Sequence, residues 1–520
     1  MNLAHYCAYW ARMRGDQPAA VFKGRRLTWA ELDRQADALA ATLQQLGVTG
    51  GDRVGCLLDN CLEWVITWAA VQKAGAILVP LNPRYGDVEL REIAALVNCS
   101  TIVSRASVLT RLDPTIAARS EAPSEVSVFP MRGSARPVSI EVAVSRAGRP
   151  APVARGSEDT ALITFTSGST GRAKGAVLTH RAIDAMAFSM AMGFGYTSAD
   201  RILLLAPFAF TGGLVCVYLP AYIMGACIHI EETLDAEHAL ATIGNERITV
   251  MMGVPILWER MSASPRFAAA DLSSLRTATT GGSPVSQALL KRYVDKGVGI
   301  VQTYGCTEAA GFVAIPNLSD GLAKPWSCGG AALLLEMRVV DERNQPCRPG
   351  QVGEIQLRGD KMFSGYWNDP ESTREAWHEG WYRTGDLGLL NEAGHVQITD
   401  RKKNMVISGG VNVYPAEVER TMSTLAGVDE VIAFGMPDAV WGERLVAVVH
   451  GGSALNLQQL MAECRTALGA YKTPKEIVLS RQPLPRTSTG KFQRANVTAL
   501  YERLRAEDSA TAQANQRNNE

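Results

Sequence analysis

The ten residues Thr166 to Gly175, TSGSTGRAKG, follow an apolar run, and this junction restricts the fold more than any other part of the chain. The run Ala161-Leu162-Ile163-Thr164-Phe165 predicts a buried strand. A glycine-rich loop at the end of such a strand predicts an open α/β sheet with a ligand at its strand ends. Gly168, Gly171 and Gly175 allow backbone N–H groups to come close, and the hydroxyls of Thr166, Ser167, Ser169 and Thr170 donate hydrogen bonds. Lys174 adds a compact charge, so the loop suits phosphate. Its spacing is not that of a Walker loop, because Lys174 follows Gly171 by three residues and precedes Gly175. A Ser/Gly connector has the same composition, and the loop alone does not separate the two.

A 520-residue chain that is 47% hydrophobic predicts roughly two to four domains with large cores. Its 52 basic and 52 acidic residues cancel, which argues against nucleic acid or an anionic membrane as a bulk partner. Ten cysteines without a C-x-x-C pair argue against a zinc ribbon or disulfide framework. With no signal-like N-terminal segment, these point to a cytoplasmic protein of small-molecule partners, compatible with a homodimer. The uncharged stretch from Ile202 to Ile228 is long enough for a membrane span, but Pro207, Gly212, Gly213, Pro220 and Gly225 divide it. The expectation is a buried strand, a turn, a core helix and another strand.

Thr28 and Glu31 predict a capping box opening a helix that runs to about Leu46 and stops at Gly47. Runs at 54–58, 62–74, 76–81 and 88–97 then alternate, as layered α/β domains do. Residues 107–157 lack strong periodicity and predict a variable surface connection. After Arg401-Lys402-Lys403-Asn404 comes a compact region with its own alternation. The fold class expected is therefore α/β: a large layered N-terminal domain over 1–400, a smaller mobile α+β domain over 401–505 and a disordered tail over 506–520.

Four more motifs follow the loop in order: Thr280-Gly281-Gly282-Ser283-Pro284, Gln302-Thr303-Tyr304-Gly305-Cys306-Thr307-Glu308, Tyr382-Arg383-Thr384-Gly385-Asp386-Leu387-Gly388 and Pro485-Arg486-Thr487-Ser488-Thr489-Gly490-Lys491. With the loop they resemble the adenylate-forming superfamily of acyl-CoA synthetases, nonribosomal adenylation domains and firefly luciferase, over about residues 20 to 500.

The resemblance implies ATP, Mg²⁺ and coenzyme A. Tyr304 offers a face for adenine, with Gly282, Ser283 and Pro284 against the other side; Gln302 and Gly305 complete that wall. Glu308 is a hard oxygen ligand for Mg²⁺ together with Thr166, and Thr307 donates to the α-phosphate. Asp386 accepts the ribose hydroxyls, with Arg401 beside it. Lys491 bridges carboxylate and α-phosphate in the first half-reaction. Lys403 aligns with the hinge about which the C-terminal domain swings, and Ser408, Gly409 and Gly410 face the CoA thiol path in the second pose.

Within that family, amino-acid-activating relatives keep an aspartate where this chain has Ala209, which disfavours a substrate amine. Phe210 replaces the histidine of the Pro-x-Phe-His run that many acyl-CoA synthetases carry. Phe210, Gly213, Met251, Met252, Val254, Trp258, Gly305, Cys306, Phe312 and Val313 are expected around an apolar acyl pocket. An aryl, cinnamyl-type or medium-chain fatty acid fits such a pocket. A ligase loading a carrier protein, a luciferase-like oxygenase and a catalytically dead nucleotide-binding regulator are the other readings.

Overall fold

In the computed structural model, the Thr28 hydroxyl accepts from the Glu31 N–H at 3.2 Å while the Glu31 carboxylate accepts from the Thr28 N–H at 2.9 Å, so the expected capping box opens the helix Trp29–Gln45. The structure describes residues 2–117, 124–132, 135–146, 148–167, 173–233, 235–282, 285–408, 411–438, 441–452, 455–486 and 492–517. They divide into two compact units. The first holds Met1–Met337 and Leu357–Arg383, the second Arg338–Gln356 and Thr384–Glu520.

The first unit contains two large sheets. One has seven strands in the order Val138–Ser139, Val126–Pro130, Thr101–Arg105, Arg53–Leu57, Ile77–Leu81, Thr160–Ser167 and Ala173–Thr179. Its centre is parallel, because the buried helix Leu62–Lys73 and the amphipathic helix Asp87–Val97 return the chain between strands. The connection expected to lie on the surface supplies two of these strands. Val126–Pro130 is buried along its whole length, and its β-branched and aromatic residues pack where a weakly periodic sequence hides them.

The other sheet runs Gly330–Ala331, Gly311–Ile315, Ile300–Cys306, Thr277–Gly281, Val250–Gly253, Arg201–Leu204, Cys227–Ile230, Pro18–Phe22 and Arg25–Thr28. The uncharged stretch resolves as expected: strand Arg201–Leu204, helical turns from Thr211 to Met224, strand Cys227–Ile230. No helix among the described residues is long and apolar enough to cross a membrane. Met251 and Trp258, expected at the acyl pocket, belong instead to a core with Leu257, Leu289 and Tyr293.

The second unit is α+β. A sheet of Val411–Val413, Val406–Ser408, Gly442–Gly451, Val428–Asp438 and Glu476–Ser480 packs against helices Pro415–Met422 and Leu457–Lys472 through Val418, Met422, Leu460 and Cys464. The helix Val497–Arg517 extends through the polar stretch expected to be a tail. Its buried anchors are Val497, Tyr501 and Leu504, after which helix-favouring Ala, Glu and Gln carry it on.

Candidate active site

The described ends of the phosphate-type segment lie on two paired antiparallel strands. Strands Thr160–Ser167 and Ala173–Thr179 pair with Thr166 opposite Lys174 and Ser167 opposite Ala173. Gly168, Ser169, Thr170 and Gly171 lie outside the described residues, as do Ser283, Pro284, Gly409, Gly410 and Lys491. The Lys174 Nζ donates to Ser372 Oγ at 2.7 Å and stands 5.1 Å from the centre of the Tyr366 ring.

Tyr366 then connects this lysine to the acidic residue. Its hydroxyl donates to Glu308 Oε1 at 2.8 Å, and its backbone N–H donates to Thr373 Oγ1 at 2.9 Å. Burial and the neighbouring carboxylate push the Tyr366 phenol well above its ordinary value, so it stays a donor. Glu308 is itself buried, on a short 3₁₀ turn Thr307–Ala309 packed against both hairpin strands, with its carbonyl accepting from the Phe363 N–H.

A row of hydroxyls crosses from sheet to turn. Thr164 Oγ1 is 3.3 Å from Thr211 Oγ1, which is 3.0 Å from Thr307 Oγ1. Thr211 begins the turn after Phe210, and that segment is fixed by the buried Asn60, whose side chain accepts from the Phe208 N–H at 2.9 Å and donates to the carbonyls of Ala206 and Glu231. Phe208 stacks on Trp64 at 4.9 Å.

Tyr304 and Gly305 end the strand Ile300–Cys306, with Tyr304 buried and Gly305 paired to Phe312 across a bulge. A Cβ on Gly305 would land on the Gly311 carbonyl oxygen, and one on Gly281 would sit 2.8 Å from Thr303 Oγ1. These strand ends are thus bare backbone because nothing larger fits. Gly282 takes φ +85°, a left-handed turn that suits glycine. The Gln302 amide donates to Cys328 Sγ at 3.5 Å.

On the proposed acyl side, Phe210 is half-buried with its ring edge-on to Tyr85, and Met252 is half-buried beside Gly212. Gly213 has no room for a side chain against the Pro207 carbonyl. Cys306 is partly accessible, whereas Phe312 is buried against Phe194. The sequence did not single out Lys361, which is fully buried and donates from Nζ to the Phe312 carbonyl oxygen. Its local sequence, Asp360-Lys361-Met362, reads as an exposed turn and carries no signal of this. Tyr366 did have one, in Gly365-Tyr366-Trp367.

In the second unit, Asp386 is buried and pairs with Arg401, Nε to Oδ1 at 3.0 Å, across the antiparallel strands Trp381–Leu390 and Val396–Arg401. The Asp386 N–H donates to Thr384 Oγ1 at 3.0 Å, and that hydroxyl donates to the Ile355 carbonyl at 2.7 Å. The Thr-Gly-Asp turn is therefore braced from both sides. Lys402 pairs with the buried Glu354 at 3.1 Å. Lys403 follows on an exposed 3₁₀ turn, and Ser408 is buried at the end of Val406–Ser408.

Comparison with known proteins covers nearly the whole chain. The family model for AMP-binding enzymes matches residues 7–367, and that for the AMP-binding enzyme C-terminal domain matches 417–491. A feruloyl-CoA synthase of Amycolatopsis sp is 35% identical over 94% of this chain and 97% of its own length. A long-chain-fatty-acid–CoA ligase of Mycobacterium tuberculosis is 33% identical over 92% of this chain and 93% of its own. ATP-bound MatB from Rhodopseudomonas palustris superposes with a TM-score of 0.85 at 29% identity, covering 96% of this chain and 99% of that one. With two family models and relatives of 33–35% identity spanning nearly its whole length, the chain belongs to the acyl-CoA synthetase branch of the adenylate-forming superfamily, AMP-forming acid–CoA ligases that use ATP, Mg²⁺ and CoA.

Proposed function

We propose that this ligase activates an aryl, cinnamyl-type or medium-chain fatty acid. The observation that carries the reading is Phe210, half-buried with its ring edge-on to Tyr85, at the position where many relatives carry a histidine; Met252 lies near Gly212, two residues on. An apolar wall of this kind rewards apolar carbon and offers no partner to an ammonium.

Each site residue then has a role. Tyr304 stacks on adenine, bounded by Gly282, Ser283, Pro284, Gln302 and Gly305. Ser167 and the loop residues Gly168, Ser169, Thr170 and Gly171 donate to the phosphates with Lys174, while Thr307 donates to the α-phosphate. Asp386 accepts the ribose hydroxyls, with Arg401 holding its carboxylate in place. For the metal, Glu308 fits. It is a buried carboxylate oriented by Tyr366, and Thr166 adds a hydroxyl. Among the described residues no cluster of three acidic, His or Cys ligands exists, as suits an ion held mainly by nucleotide phosphates. When bound, Mg²⁺ neutralises phosphate charge.

Attack of the substrate carboxylate on the α-phosphorus breaks the bond to diphosphate and forms the acyl-adenylate. Lys491 brings the two anions together, and this costs the least when its ammonium is already placed. Thioester formation then follows a swing about Lys403 that presents Ser408, Gly409 and Gly410 to the CoA thiol. All ten cysteines are free, which supports a reducing compartment, and we place the enzyme in the cytoplasm. The test is diphosphate release across a panel of carboxylic acids, with and without CoA. Release with amino acids only would overturn the substrate class.

A further inference from the structure

Lys361 is a fully buried charged side chain of the first unit whose ammonium donates to the Phe312 carbonyl, with two thiols near enough to act on it electrostatically and no carboxylate partner among the described residues. An ammonium has three N–H donors; the Phe312 carbonyl takes one, and the other two have no partner among the described residues. The titratable groups that act on it are the thiols of Cys216 and Cys306, and burial lowers it to about 8 from an ordinary 10.5. Such a group costs stability and does not persist for packing alone, since a methionine fills the same space.

Its location gives it a use. Cys306 follows Gly305 on its strand and Phe312 pairs opposite Gly305, and together they form one proposed wall of the acyl pocket. Cys216 lies in the helical turn Leu214–Tyr218 that continues from Phe210 and Gly213, the other wall. The walls meet there, for a Cβ on Gly311 would strike Cys216 Sγ. The ammonium therefore stands where hairpin and helix converge.

We propose that Lys361 is a specificity-determining residue that donates to an oxygen substituent on the acid, a hydroxyl, carbonyl or second carboxylate, at the end remote from the reacting carboxyl. This rests on the assignment of Phe210–Gly213 and Gly305–Phe312 as acyl-pocket walls. The favoured substrate is then apolar along its length and polar at its far end.

Matched acids test it: octanoate, 8-hydroxyoctanoate and octanedioate, and 3-phenylpropanoate against 3-(4-hydroxyphenyl)propanoate, each scored by kcat/KM for diphosphate release. The oxygenated member should win by about tenfold or more in the wild type, as it does where a site is built to hydrogen-bond its substrate. In Lys361→Met the ratio should fall to about unity, with the KM for ATP unchanged. A hydroxyl effect and a carboxylate effect both support the assignment. A wild-type ratio at or below one overturns it, and this arm needs no variant to fold. An equal loss for both members in Lys361→Met, or in Lys361→Gln if the first is unfolded, also overturns it in favour of a purely structural lysine. If the plain acids are activated and the oxygenated ones are not, only the Lys361 assignment fails. If no acid in the panel releases diphosphate, the acyl-pocket reading fails and takes the assignment with it.

Discussion

The Tyr366 hydroxyl donates to Glu308 Oε1 at 2.8 Å while Lys174 stands over the face of the same ring, so one tyrosine orients both the proposed metal-binding carboxylate and the proposed phosphate-binding lysine. Removing the hydroxyl alone leaves the ring and releases the carboxylate. Tyr366→Phe is expected to lower kcat/KM for adenylation by about ten- to a hundredfold, the scale of a lost hydrogen bond to a charged group. Titration of the rate with Mg²⁺ should show a higher half-saturating concentration; an unchanged curve would disconnect Tyr366 from the metal.

Asp386 and Arg401 give a prediction for nucleotide affinity. Asp386→Ala should weaken Mg²⁺–ATP binding by about 1–3 kcal/mol, the loss expected when charge-assisted hydrogen bonds to the ribose go. Arg401→Ala should cost less, because Asp386 keeps its brace through the Thr384 turn. Calorimetry on the two variants checks both the size and the order.

The half-reactions should separate. Lys491→Ala is expected to abolish acyl-adenylate formation yet leave thioester formation from supplied acyl-adenylate largely intact. Lys403→Pro should do the reverse, since it fixes φ at the proposed hinge. If both folded variants lose both steps alike, the two-pose mechanism does not describe this enzyme.

Acid should destabilise the first unit through two buried histidines. His180 accepts at Nδ1 from the Leu3 N–H, and burial lowers it to about 4; His229 is lowered to about 4 for the same reason, with Arg201 adding to it. The unfolded chain protonates these bases near 6.5 and the folded chain resists, so stability is complete above pH 6.5 and falls as pH drops toward 4. Full protonation costs on the order of 3 kcal/mol per histidine. Melting temperature measured from pH 7.5 to 4.5 should fall, with a shallower slope in His229→Phe.

Where local chemistry decides structure, the sequence was legible. Thr28 and Glu31 needed only each other to cap a helix, and the prolines and glycines of 202–228 broke that stretch into the elements observed. The motifs were legible as a family pattern because glycine, threonine and acid types at fixed spacing have few uses. Val126–Pro130 was not, since a five-residue strand set in a stretch rich in Pro, Ala, Ser and Arg is settled by the sheet that receives it. Lys361 was hidden for a similar reason: its carbonyl partner is 49 residues away in sequence, and only tertiary packing buries it. Asn60 reads as a turn residue, yet it holds the Phe208 segment from 148 residues away.

The threonine row from Thr164 through Thr211 to Thr307 has one further property. In each of its two contacts either oxygen can donate, so the row has two senses, and reversing one link favours reversing the other. A phosphoryl oxygen accepting from Thr307 would select one sense for all three. Nucleotide arrival would then be registered at Thr211, beside the start of the proposed acyl wall, by proton placement alone and with no movement of a heavy atom.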